Sequence, residues 1–267
     1  MADKENPTTA TQRLARPVLP RRFYKNVSVG PADGGFAVLL DGRAAKTPGR
    51  KPLVVASRTV ADALAAEWEA QRDVIDPGGM PLTRLVNAAI DRVAADPSGV
   101  RAEIVKYAMS DAVCYRAETP ASLVAAQERA WAPLVAWARE RLGVRLRLTA
   151  GVVHVAQDQE VATAVEAATT SLPAVPLAAL HLAMTLTGSA IVALALLEGR
   201  LTADEAWSAA HVDEDWQMAQ WGADEIALSR RAARRRDFDA AVLVLAGLVN
   251  RGGQSDRGGS GQSQPRT

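Results

Sequence analysis

Apolar and polar residues alternate from Phe23 to Val29, and the apolar ones are aromatic or β-branched, so the pattern predicts a strand. A second strand is predicted over Phe36 to Leu40, after a turn at Asp33-Gly34-Gly35. Asp41-Gly42 is a strong two-residue hairpin signal, because both positions of such a turn need positive φ. Arg43 to Lys46 then returns as a third strand, Pro48-Gly49 turns again, and Leu53-Val54-Val55 makes a fourth. The opening of the chain therefore reads as a small antiparallel meander.

The hydrophobic period then changes from two to 3.6. Ser57 is a fitting N-cap for a helix through about Arg72, with Val60, Leu64 and Trp68 on one stripe. Asp76-Pro77-Gly78-Gly79 stops it, and Leu82 to Val93 predicts a second helix with Leu82, Leu85, Val86, Ala89, Ile90 and Val93 in register. Asp96-Pro97-Ser98-Gly99 breaks the pattern again. Helices are predicted over Val100 to Asp111, Pro120 to Leu142, Glu160 to Ser171, Pro176 to Leu197, and Thr202 to beyond Leu245. Thr119-Pro120 offers a cap and a first-turn proline, and Thr202 with Glu205 matches a capping box. Short strands are expected at Val144 to Leu148 and Val152 to Val155. Strands first and helices afterwards predict the α+β class: a small antiparallel β-rich N-terminal domain (21–96, with helices) and a larger all-helical C-terminal domain (97–250). Residues 1–20 read as a disordered leader and 251–267, rich in Gly, Ser and Gln, as a disordered tail.

Composition narrows the function classes. Thirty-one Lys and Arg balance 30 Asp and Glu, so the chain has no global attraction for nucleic acid or an anionic membrane. The single cysteine, Cys114, cannot form an internal disulfide and lies in an apolar stretch that predicts burial. With three scattered histidines beside it, no metal or other cofactor is expected. His181 reads as a hydrogen-bonded core histidine and His211 as a surface helix contact. Phosphate-binding, dinucleotide-binding, zinc-protease and nucleophile-elbow motifs are all missing. Val175 to Leu197 carries no charge and reaches membrane-spanning length, but His181, Thr185, Thr187, Gly188 and Ser189 inside it point to a buried central helix instead.

The most unusual segment runs from His211 to Glu225. On a continuous helix, Val212, Trp216, Ala219, Ala223 and Ile226 share a stripe expected to face the core. Glu214, Met218, Trp221 and Glu225 form a second stripe, flanked by Asp213, Gln217 and Asp224. This face combines a Trp, a Met, a Gln and several carboxylates, the kind of mixture enriched at protein interfaces. Gly222 interrupts the helical pattern, marking a kink or the close approach of another backbone. Arg230, Arg231, Arg234, Arg235 and Arg236 follow, with Glu225 to Arg230 expected to pair. The Arg run lacks interleaved aromatics, which argues against RNA binding.

Together these residues resemble the assembly chaperones of the F-type ATP synthase α subunit. Arg22-Phe23-Tyr24-Lys25, Val38 to Arg43, Lys46-Thr47-Pro48, Glu67-Trp68, Ile75-Asp76-Pro77, Met80 to Arg84 and Asn87 carry the first part of the resemblance. Tyr107, Ser110-Asp111, Cys114-Tyr115-Arg116, Thr187-Gly188-Ser189, Asp213 to Gln217 and Trp221-Gly222 carry the rest. It implies a non-enzymatic protein that binds the free α subunit and keeps it from aggregating until it pairs with β. It implies a bacterial cytoplasmic location, a monomer, and no nucleic-acid partner or stable membrane insertion. The implied partner-binding residues are Asp213, Glu214, Gln217, Met218, Trp221, Asp224 and Glu225, with the key glutamate either Glu214 or Glu225. The main alternative is a small-molecule enzyme using the acidic residues of 211–225; it requires those carboxylates to converge in a concave site.

Overall fold

The computed structural model describes residues 19–151 and 153–255. The leader up to residue 18, Val152 and the tail from 256 onward lie outside the described residues.

The opening strand, β1 (Val27–Ala32), starts later than the alternation predicts. The cause is local: Asp41 accepts from Lys25 and Asn26 N–H, while Arg22 donates to the Tyr24 and Lys25 carbonyls. Those bonds take the backbone before Val27 out of the ladder. β1 pairs antiparallel with β2 (Gly35–Leu40), and Asp41 and Gly42, at φ 48° and 79°, turn β2 into β3 (Arg43–Ala44) as the hairpin signal predicts. The fourth strand, β4 (Val54–Val55), does not extend a meander. It returns to β2, pairing Phe36 with Val55 and Ala37 with Val54, so β3 and β4 share one edge of β2.

Helix α1 (Arg58–Glu69) is capped by Ser57, whose side chain accepts from Val60 N–H. It lies across β1 and β2 with Val60 and Leu64 buried. After a 3-10 turn at Pro77–Gly79, α2 (Pro81–Ala88) widens into a π turn (Ala89–Val93) where a uniform helix was expected. Asp91 in that turn accepts from Thr47 Oγ1 at 2.7 Å and Gly49 N–H at 2.8 Å, fastening the 46–52 hairpin to the helix. Asp96-Pro97 starts a helix rather than breaking one: α3 (Pro97–Ala108) has Asp96 as its N-cap and proline in its first turn, where no N–H is needed. A 3-10 turn (Ala112–Cys114) and β5 (Tyr115–Arg116) lead to α4 (Ala121–Arg141). Pro120 itself occupies the N-cap position of α4, so Thr119 does not cap it. β5 pairs in parallel with β6 (Thr149–Ala150), in place of the two strands expected between Val144 and Val155.

α5 (Gln159–Thr170) precedes the apolar stretch, which forms two helices, α6 (Ala174–Thr187) and α7 (Ala190–Leu197). Gly188 closes α6 at φ 69°, a left-handed conformation that glycine adopts freely. Ser189 then caps α7 by accepting from Val192 N–H. Among the described residues no helix is long and apolar enough to cross a membrane. The last predicted helix is three: α8 (Ala203–Ala210), with the Thr202–Glu205 capping box in place, α9 (Val212–Trp221) and α10 (Glu225–Ser255). α10 packs along α6 and reaches α2 and α1, and the buried apolar side chains from Tyr24 to Leu245 form one continuous cluster. That shared core joins the sheet to the helices and leaves α9 on the surface.

Candidate functional site

No residue of α9 is buried. The stripe expected to face the core is therefore displaced: Val212 and Trp216 are half-buried, Ala219 and Ala223 are exposed, and Ile226 is 61% exposed. The reason is the break at Gly222, which ends α9 at φ 85° and ψ 173°. A Cβ there would meet no atom within 4 Å, so the glycine serves the backbone conformation and not the approach of another chain segment. Ile226 and Glu225 consequently lie on α10 and cannot share a helical stripe with Trp216 or Glu214.

The structure sorts the expected residues into two groups. Asp213 is held by Gln127 of α4, whose Nε2 donates to its carboxylate at 2.7 Å. The same buried Gln127 accepts from Ala117 N–H at 2.7 Å, and its backbone carbonyl accepts from Arg116 at 2.9 Å. Asp224 caps α10, accepting from Ala227 N–H at 3.0 Å. Met218 is half-buried, with its sulfur beside the Arg231 guanidinium. These three residues shape the turn. Glu214, Gln217, Trp221 and Glu225 face solvent, and Trp221 is 75% exposed. It is steadied by an edge-on contact with Trp216 at 5.5 Å, and Trp216 itself donates to Ser122 Oγ.

The basic cluster folds back on the acidic one. No ion pair joins Glu225 to Arg230; instead Arg231 pairs with Asp215 at 2.5 Å, and Arg235 bridges Asp204 and Asp239. Arg234 donates to the Leu186 carbonyl and stands 3.9 Å from Glu214. His211 is the largest departure from the sequence reading. It is 2% exposed, stacked on Trp207 at 4.0 Å, with Nδ1 bonded to the Trp207 carbonyl and Nε2 without a hydrogen-bond partner. Burial pushes its pKa down despite the Trp207 bond and the Glu214 carboxylate 3.9 Å away. His181, in contrast, is not in the core: its Nε2 meets Glu103 at 2.6 Å at the partly exposed edge of a groove.

Glu214 thus has only long contacts, and Glu225 is exposed with no ion pair. The carboxylates of the turn do not converge in one cleft: the 440 Å³ cavity between α4 and α8 takes in Asp215 and none of the others. Arg231 already neutralises Asp215. Beside these free carboxylates, Trp221, Ile226 and Leu228 are 75%, 61% and 46% exposed on consecutive turns. The arrangement suits recognition of another macromolecule, with apolar anchors and a charged rim.

Residues 21–139 match the family model described as ATP12 chaperone protein. The Atu1473 protein of Agrobacterium tumefaciens is 47% identical with a TM-score of 0.82, covering 92% of each chain. Atp12 of Paracoccus denitrificans is 39% identical with a TM-score of 0.78, over 85% of this chain and 98% of that one. The chain belongs to the ATP12 chaperone family. The mitochondrial atp12 protein of Schizosaccharomyces pombe is 28% identical over 230 residues, 82% of this chain and 79% of its own. The ATP12 family is the ATP synthase assembly family that the sequence resembles. Its model ends within α4, before the acidic turn, so the site rests on the geometry of α9 and α10 in this chain.

Gln127 was not legible as part of this site. Its signal in the sequence is only a glutamine within the helix pattern of 120–142, and its role comes from a strand and a helix that are remote along the chain.

Proposed function

We propose that this protein is a cytoplasmic, monomeric chaperone that binds the free α subunit of F-type ATP synthase through the turn between α9 and α10. The observation that carries the proposal is the exposed group Trp221, Ile226 and Leu228 flanked by Glu214 and Glu225, whose charges no close ion pair absorbs. An α subunit without its neighbours exposes apolar interface and is prone to aggregate. A chaperone for it must cover that surface and still yield to β. A small apolar patch with two free carboxylates fits that requirement, because it gives electrostatic selectivity without the large buried area of a permanent interface. The carboxylates would pair with basic groups on the α subunit. Membership of an ATP synthase assembly family supports the reading, and the scattered carboxylates do not favour an enzyme.

The experiment is light scattering of a purified α subunit diluted from denaturant, with and without this protein, followed by addition of β. Suppressed scattering and release by β are expected. Trp221→Ala should weaken suppression strongly, and Glu214→Gln with Glu225→Gln should weaken it and remove its salt dependence. Full suppression by the triple variant would refute the turn as the docking surface, and lack of suppression by the native protein would refute the chaperone assignment.

A further inference from the structure

The N-terminal sheet carries a second exposed aromatic. Phe23 is 72% exposed, yet it is not on a loose segment. Arg22, immediately before it, makes five hydrogen bonds: to the Tyr24 and Lys25 carbonyls, to Glu69 through both its carbonyl and its carboxylate, and to the Gln71 carbonyl. On the other side, Asp41 accepts from the N–H groups of Lys25 and Asn26. The residues around Phe23 are therefore pinned to the end of α1 and to the β2–β3 turn. The side chain itself heads an aromatic stack: Phe23 stands edge-on to Tyr24 at 5.3 Å, Tyr24 edge-on to Trp68 at 5.7 Å, and the Tyr24 hydroxyl donates to the Trp68 carbonyl at 2.6 Å.

Beneath Phe23 opens a groove of 630 Å³ lined by Leu40, Ala44 and Trp68, with Arg43 and Lys46 on its rim. Neither of these two cations makes an ion pair, and both are exposed. The groove's one carboxylate, Asp41, is engaged by two backbone N–H groups. The net field of the rim is positive, opposite in sign to the α9–α10 turn. A rigid aromatic held out over an apolar groove is the arrangement of an interface anchor, because its ordering entropy is spent in folding and not in binding.

We propose that this groove is a second docking site for the client polypeptide, taking a large apolar side chain flanked by carboxylates, with Phe23 as the anchor and Arg43 and Lys46 as the selective charges. The inference rests on the chaperone reading above for the identity of the client, and on the groove alone for its chemistry. The protein then grips its client at two surfaces of opposite charge, which raises the effective affinity of two individually weak contacts and allows stepwise release.

Two measurements on the full chain test it. In the first, anisotropy is read from a fluorescein-labelled peptide with one leucine between aspartates, and from its lysine-flanked counterpart. The native protein should bind the acidic peptide, and Phe23→Ser should weaken it by about tenfold or more. Arg43→Glu with Lys46→Glu should abolish the preference for aspartate. Equal binding of both peptides, or no change in either variant while its melting temperature is native, overturns the proposal. In the second, the same variants enter the α-subunit scattering assay. Native suppression with Phe23→Ser unimpaired overturns the second site and leaves the chaperone reading standing. No suppression by the native protein, with peptide binding that still depends on Phe23, removes the α subunit as client and keeps the groove. A concentration-dependent dimer in light scattering that disappears in Phe23→Ser overturns the client as occupant and makes the groove a contact between two copies.

Discussion

Asp111 offers the sharpest test of the packing. It is fully buried between the 3-10 turn and the start of α7, where its two oxygens accept from Val113 N–H at 3.1 Å and Ile191 N–H at 2.9 Å. Desolvation raises its pKa to about 6 from 3.8, and the bonds from Ser189 and the backbone only partly offset it. The folded pKa lies above the unfolded one, so the neutral acid is the form that folding favours. That contribution is fully present below pH 4 and is lost as pH rises through 6. A shift of about 2 units at 1.36 kcal/mol each corresponds to about 3 kcal/mol. Asp111→Asn cannot ionise, so the comparison isolates this group from every other titration. Asn has one acceptor where the site presents several donors, so the variant is expected to be less stable at pH 4 by about 1–3 kcal/mol. The gap should then shrink by about 3 kcal/mol between pH 4 and 7, closing or reversing in sign. Urea denaturation of both proteins at half-unit pH steps measures it. A gap that stays constant, or widens with pH, would refute the reasoning, because it would mean that the hydrogen bonds to the carboxylate outweigh its desolvation.

Gly222→Ala should destabilise by about 1–3 kcal/mol, because φ 85° and ψ 173° is a region essentially reserved for glycine; thermal melts check it, and the α-subunit scattering assay should show weaker suppression as Trp221 moves. Gln127→Leu strands a backbone N–H and the Asp213 carboxylate, so about 2–3 kcal/mol of stability should be lost in urea titrations, with α9 the first segment to exchange its amides. His211, with its pKa pushed below 6.5 by burial, contributes stability above pH 6.5 that is lost as pH falls below it; His211→Phe should flatten that part of the acid limb in a pH series of melts. Burial pushes the Cys114 thiol up to about 12, so a thiol reagent at pH 8 should leave the native protein unlabelled and react only after denaturation.

The features legible in the sequence are those whose causes are a few residues apart. The Asp41-Gly42 hairpin, the Ser57 cap and the Thr202–Glu205 capping box each need only neighbouring atoms, and each forms as the local pattern predicts. Burial of Cys114, the α+β order of elements and the surface character of Trp221 followed from composition and periodicity in the same way. Tertiary structure decided whether a glycine interrupts a helix. Gly188 and Gly222 both sit in helical patterns, and what ends the helices is the set of partners waiting beyond them, Asp111 for the start of α7 and Arg231 for the face of α9. It also decided which carboxylates are free. On one continuous helix Glu214 and Glu225 share a face and Glu225 pairs with Arg230; once the chain bends at Gly222, the arginines of α10 reach back to Asp215 and toward Glu214 instead. Asp213 is withdrawn by Gln127, a residue of a remote helix. A side chain's charge is written in the sequence, but its availability depends on which oppositely polarised groups the fold brings within 3 Å, and long-range packing sets that distance.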